Sequence, residues 1–180
     1  MPTQPTDYST GAWASIFAER NRGERRYWLV KSEPDVFSFD DLLAEPKQTT
    51  QWNGVRNFTA RNFLRDGMKK GDRVFFYHSS TKPQVIAGIC EVVEHGYPDP
   101  TGLDARHDGF DPKATKADPI WFMVDIRAVA PLPRPVSLAE IKARKELAGM
   151  ALLRISRLSV VPVTEKEWAV VCAMAASPPA

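Results

Sequence analysis

Proline placement constrains this chain more than any other single feature. Its 15 prolines, with the polar clusters around them, cut the apolar sequence into runs too short for a coiled coil or a membrane span. Residues 27–32 (Tyr-Trp-Leu-Val-Lys-Ser) read as a strand that Glu33-Pro34 stops. Residues 74–79 and 85–93 read as a hairpin around a polar loop containing Pro83. Residues 120–130 form a further strand, expected to close at Pro131, Pro133 and Pro135, and residues 156–163 form the last. Between them lie short helices announced by capping boxes at Ser38/Asp41, Ser137/Glu140 and Thr164/Glu167. The second of these is expected to end near Gly149. Asn57 or Thr59 can cap another helix, which runs to Arg65 with Gly67 as its stop. Residues 94–119, rich in Asp, Gly and Pro, read as a long excursion. Strands that neighbour one another in sequence, without a βαβ rhythm, predict an α+β fold: a small, curved, mostly antiparallel sheet or barrel with flanking short helices.

The domain is expected over residues 27–174. Residues 1–26 read as a flexible or lightly docked N-terminal tail with a Trp13–Ile16–Phe17 patch, and residues 175–180 as a C-terminal tail. The N-terminus lacks the apolar core of a secretory signal, and Cys90 and Cys172 sit in apolar surroundings, as buried thiols in a reducing compartment do. A cytoplasmic location is expected, nucleoid-associated in a bacterium or nuclear in a eukaryote. Net charge is only +2, but residues 56–73 carry six bases against two acids, and residues 142–157 five bases against one. Sharing a face, these segments would attract phosphate; otherwise they are solvated helix faces.

The chain has no Gly-rich dinucleotide or Walker phosphate loop, no Gly-x-Ser-x-Gly, and no metal spacing among His78, His95 and His107. No cofactor and no metal are expected. Strand alternation sends Lys31 and Ser32 to opposite faces, which argues against a joint nucleophilic site. The informative pattern is aromatic residues beside polar ones: Trp28, Trp52, Phe76, Tyr77 and Trp121 near Ser32, Arg56, Asn57, His78 and Ser79. Aromatic planes stack on bases, and amide, hydroxyl and guanidinium groups select a base edge. Inside apolar runs the same aromatics equally make a core. Trp52 stands apart, because it follows the polar segment Gln48-Thr-Thr-Gln51.

Seven segments occur in order: Tyr27-Trp-Leu-Val-Lys-Ser-Glu-Pro34, Trp52-Asn-Gly-Val-Arg-Asn57, Ala60-Arg-Asn62, Gly71-Asp72, Phe76-Tyr-His-Ser79, Trp121-Phe-Met-Val124 and Arg157-Leu-Ser159. Together they resemble an EVE domain, the module of the thymocyte nuclear protein 1 family, over residues 27–174. The resemblance implies a PUA-like fold related to the YTH readers, a pocket for a modified base (chiefly modified cytosine in DNA), and no catalytic activity. Position by position it implies a base pocket of Trp28, Ser32, Trp52, Arg56, Asn57, Tyr77, His78, Ser79, Arg157 and Ser159. The basic helix adds Arg61, Lys69 and Lys70 as phosphate contacts. The expected partner is modified DNA or RNA, bound by a monomer without membrane association. The alternatives are general RNA binding without modification preference and an ASCH-like small-molecule hydrolase using Lys31 and Glu33.

Overall fold

The computed structural model describes residues 6–179. Its centre is one six-stranded sheet in the order β2-β5-β4-β3-β1-β6. The strands are β1 (Tyr27–Ser32), β2 (Thr49–Gln51), β3 (Arg73–His78), β4 (Val85–Pro98), β5 (Phe122–Ser137) and β6 (Val160–Val163). Among the described residues only β1 and β3 pair in parallel; the four other pairings are antiparallel. That parallel pair needs a crossover, and residues 33–72 supply it with α2 (Phe39–Ala44), β2 and α3 (Phe58–Asn62). The sheet is open in its hydrogen bonding but curled in space. Trp52, just past edge strand β2, meets Phe76 of the interior strand β3 edge-on, with ring centroids 5.5 Å apart.

Local chemistry placed the helices. Ser38, Ser137 and Thr164 each form the reciprocal capping box with Asp41, Glu140 and Glu167, opening α2, α4 (Leu138–Ala143) and α6 (Glu165–Ala175). The expected extension of α4 to Gly149 breaks instead into a 3-10 turn over Lys145–Leu147, followed by α5 (Ala151–Arg154). Strand ends differ more. β4 runs on to Pro98, so the expected excursion begins later, with Pro98 opposite Phe122. β5 passes through its three prolines to Ser137. Between the pairs Gly88↔Pro131 and Ile86↔Val136, residues 132–135 bulge opposite Ala87 alone. β2 covers only Arg127, Ile126 and Asp125 on the other side of β5, so the prolines lie on an edge that asks for no N–H donor.

The segment expected as an N-terminal tail is packed from Tyr8 onward. Helix α1 (Ala14–Phe17) sets Phe17 and Trp13 against Phe63, at 5.7 and 5.2 Å between ring centroids. Arg20 then reaches the fully buried Asp72 through two hydrogen bonds of 2.5 and 2.7 Å. The Asp72 carboxylate also accepts from Trp28 Nε1 (2.8 Å), Lys69 N (3.0 Å) and Arg26 N (3.1 Å). One acid therefore ties the N-terminal segment, the first strand and the turn before β3 together.

His78 closes β3 by accepting a hydrogen bond at Nε2 from the Phe39 amide, the first helical N–H of α2 (3.1 Å). Burial holds its pKa below the ordinary imidazole value, with Asp40 opposing that shift. A protonated ring could no longer accept from Phe39. In the window below pH ~6.5 the unfolded chain therefore binds the proton first, and stability falls as pH drops until the folded ring titrates too. Denaturant unfolding between pH 7.5 and 5.5 should show this loss. His78→Gln, which keeps an acceptor without a titration, should flatten it.

Candidate nucleic-acid interface

The curl brings the two ends of the strand order together, and a cavity of about 950 Å³ opens where they meet. One wall is the end of β1 and the approach to β6, with Lys31, Ser32, Glu33 and Ser159. The other is β2 and the turn after it, from Thr49 through Trp52 to Arg56. Its volume lies at the upper end of the range for small-molecule sites, and the mouth of a curled sheet is a usual place for one. Trp52, 8% exposed, gives an apolar floor with its backbone N–H fixed on Val124 O at 2.8 Å. Ser32, Thr49, Thr50 and Ser159 are among the residues that line the cavity, and the Thr49 hydroxyl donates to Lys47 O at 3.0 Å. Ser32 Oγ donates to Phe37 O at 2.6 Å, so that hydroxyl offers a ligand only its lone pairs.

The Trp52–Asn57 turn is built rather than loose. Gly54 adopts φ 78°, which a side chain would resist, and donates its N–H to Asp99 Oδ2 at 2.9 Å. Arg56 donates to the same carboxylate (3.0 Å), to Thr101 Oγ1 (2.8 Å), to Gly109 O (2.7 Å) and to Val55 O (3.0 Å). Its guanidinium lies 5.3 Å from the Trp121 ring. Burial alone would push the Asp99 carboxyl up, but the hydrogen bonds from Thr101, Gly54 and Arg56 together hold it below the ordinary range. Asp99 is fully buried and sits in the region expected to be a plain excursion. Residues 99–111 therefore act as the buttress of the site. Sequence reasoning missed them, although Asp99 between two prolines was a signal of a fixed turn.

Four of the expected pocket residues line this cavity: Ser32, Trp52, Arg56 and Ser159. Arg56 does so with four of its five N–H donors engaged by the protein, so that it braces the turn. Trp28 does not line it. The ring is fully buried against Phe63 and Gly67, with its Nε1 on Asp72. Trp28 and Ser32 share a strand face by alternation, but four residues separate them by about 13 Å along the strand. Asn57 caps α3 with Oδ1 accepting from Ala60 N at 3.0 Å, and it lies outside the cavity lining. Asn57→Ala should accordingly cost about 1 kcal/mol of stability. Thermal melts read beside binding curves should show the loss with ligand preference unchanged.

Tyr77, Ser79 and Arg157 belong to a different space. Tyr77 pairs in register with Lys31, on the sheet face opposite to Phe76, and its phenol donates to Gln84 at 2.7 Å. Burial pushes that phenol up to about 12, so it stays neutral. His78 serves the start of α2, as described above. Among the expected phosphate contacts, Arg61 is half-buried, donates to Ile120 O at 2.6 Å and lies 5.0 Å from the Phe58 ring. Lys70 pairs with Glu94 at 3.2 Å, and Lys69 is exposed. Lys31, suggested for a hydrolytic role, donates from Nζ to Ser156 O at 2.8 Å. Among the described residues no group of three or more His, Cys, Asp or Glu could hold a metal, and no helix is long and apolar enough to cross a membrane.

The family model described as "EVE domain" matches residues 26–174. Human thymocyte nuclear protein 1 is 42% identical over 159 residues, covering 79% of this chain and 70% of that protein. Among solved structures, human THYN1 protein in complex with 5-methylcytosine containing DNA aligns with TM-score 0.82 at 40% identity, over 86% of this chain and 99% of that one. A hypothetical protein from Leishmania major aligns with TM-score 0.80 at 48% identity, over 85% and 96%. The overall fold is thus a shared one, and this chain belongs to the EVE domain family, with strong homology to thymocyte nuclear protein 1.

Proposed function

We propose that this protein is a non-enzymatic reader of a modified base in DNA, 5-methylcytosine foremost, and that the base leaves the duplex to enter the Trp52 cavity. The observation that carries this is the cavity itself: an indole for stacking and polar Ser, Thr and Asn residues in the lining for a base edge, on a fold shared at 40% identity with a human protein solved with 5-methylcytosine containing DNA. The Lys31 ammonium donates to a backbone carbonyl, and no hydrogen bond or ion pair joins it to a carboxylate among the described residues, which counts against the hydrolytic reading. The protein acts as a monomer in this reading.

The effect to be measured is small. One methyl group moved from water into an apolar contact contributes about 0.8 kcal/mol, roughly fourfold in affinity. Competition between two duplexes that differ only in that methyl resolves such a ratio. The methylated duplex should win by about that factor. Equal competition by the two duplexes would sink the proposal, and unmodified RNA competing as well as methylated DNA would favour general RNA binding.

A further inference from the structure

A second cavity, of about 500 Å³, adjoins the first, and the two share Lys31, Glu33 and Ser159 as common walls. It is lined on its far side by Tyr77, Ser79, Ser80, Ser156 and Arg157. The character of the two spaces differs. The first has the Trp52 floor; the second is rimmed with hydroxyls and two cations. Ser80 Oγ donates to Glu33 Oε1 at 3.3 Å, and the Lys31 ammonium is held on Ser156 O. Arg157 is exposed and, among the described residues, has no hydrogen-bond or ion-pair partner. The side-chain hydroxyls of Ser79, Ser156 and Ser159 likewise have none there.

We infer that this second cavity is the seat of a phosphodiester of the same strand whose base occupies the Trp52 cavity, with Arg157 as its principal cation. Free hydroxyl donors and a free guanidinium are the groups that take phosphate oxygens, and Arg forms paired hydrogen bonds with them. Lys31 and Arg157 together outweigh the single carboxylate of Glu33. A space roomy enough for a base that adjoins an anion-accepting one suits a polymer, in which phosphate follows base along the chain, better than a free nucleoside. The inference rests on the reading that the first cavity takes a base. It removes Tyr77, Ser79 and Arg157 from base recognition.

The test compares wild type with Arg157→Gln in the full chain, using three probes: 5-methyl-2′-deoxycytidine, its 3′- and 5′-monophosphates, and a short single strand with one central 5-methylcytosine. The Arg157 side chain is exposed, and matching melting curves would show that the variant folds. Wild type should hold at least one monophosphate more tightly than the nucleoside, and the variant should lose that gain. The salt slope for the single strand should fall by about 0.7, the share of one phosphate contact, while preference for the methylated base is kept. A variant with the monophosphate gain and the salt slope intact would overturn the phosphate seat and leave the base reading standing. A variant that loses methyl preference would overturn it by returning Arg157 to the base. Wild type that binds neither nucleoside nor strand would remove the base reading, and this inference with it.

Discussion

Replacing Asp72 with alanine should destabilise this protein by about 3–5 kcal/mol, the range found when one partner of a buried ion pair is deleted. The carboxylate is fully buried and accepts five hydrogen bonds. Without it the Trp28 indole N–H and the amides of Arg26 and Lys69 lose their acceptor inside the fold, where a donor without a partner costs most, and the Arg20 guanidinium keeps only backbone carbonyls and no counter-charge. For a chain of this size the midpoint should drop by roughly 10 °C. The Arg20 link holds the N-terminal segment, so protease should cut near residues 13–26 in the variant before it cuts the rest. Lys70→Ala, which breaks an exposed pair with Glu94, should change stability by no more than about 0.5 kcal/mol. Denaturant titration of the three proteins measures the contrast, and equal stability of all three would contradict the hub role of Asp72.

The second large effect concerns Trp52. Trp52→Leu keeps an apolar residue over Phe76 but removes the indole plane, so affinity for a strand with a flipped base should fall by about 1–3 kcal/mol, or roughly five- to 150-fold. The substitution will also cost stability, because the ring is nearly enclosed. Binding is therefore to be measured at a temperature where both proteins are folded. Unchanged affinity would mean that the indole is core only.

The helix starts were legible because a capping box is local chemistry: Ser or Thr, then an acid three residues on, fixes the boundary without help from the rest of the chain. The order of motifs likewise carried the family and hence the fold. Three things were not legible for physical reasons. Proline at 131, 133 and 135 stops a strand only if a neighbour asks for its N–H, and no sequence shows that β2 is too short to reach it. Trp28 sits on the correct face of β1 but at its far end, and alternation gives the face without the distance. Tyr77 and Arg157 are near the cavity in the strand order but beyond the wall of Lys31, Glu33 and Ser159, which only the curl of the sheet creates. Arg56 stands at the cavity as expected but braces the turn there. Asp99 and Gly109, more than 40 positions later, take the donors that a base edge was expected to use.

The measurement that bears most directly on the Trp52 cavity as a base pocket is a binding cycle over four pairs: wild type and Trp52→Leu, each with the methylated and the unmethylated duplex. The ratio of ratios isolates the contact between the methylated base and the indole from everything else the substitution changes. The expected result is a preference of roughly fourfold in wild type that shrinks in the variant as the stacked base loses its platform. A preference that survives intact in Trp52→Leu would place the modified base somewhere other than this cavity.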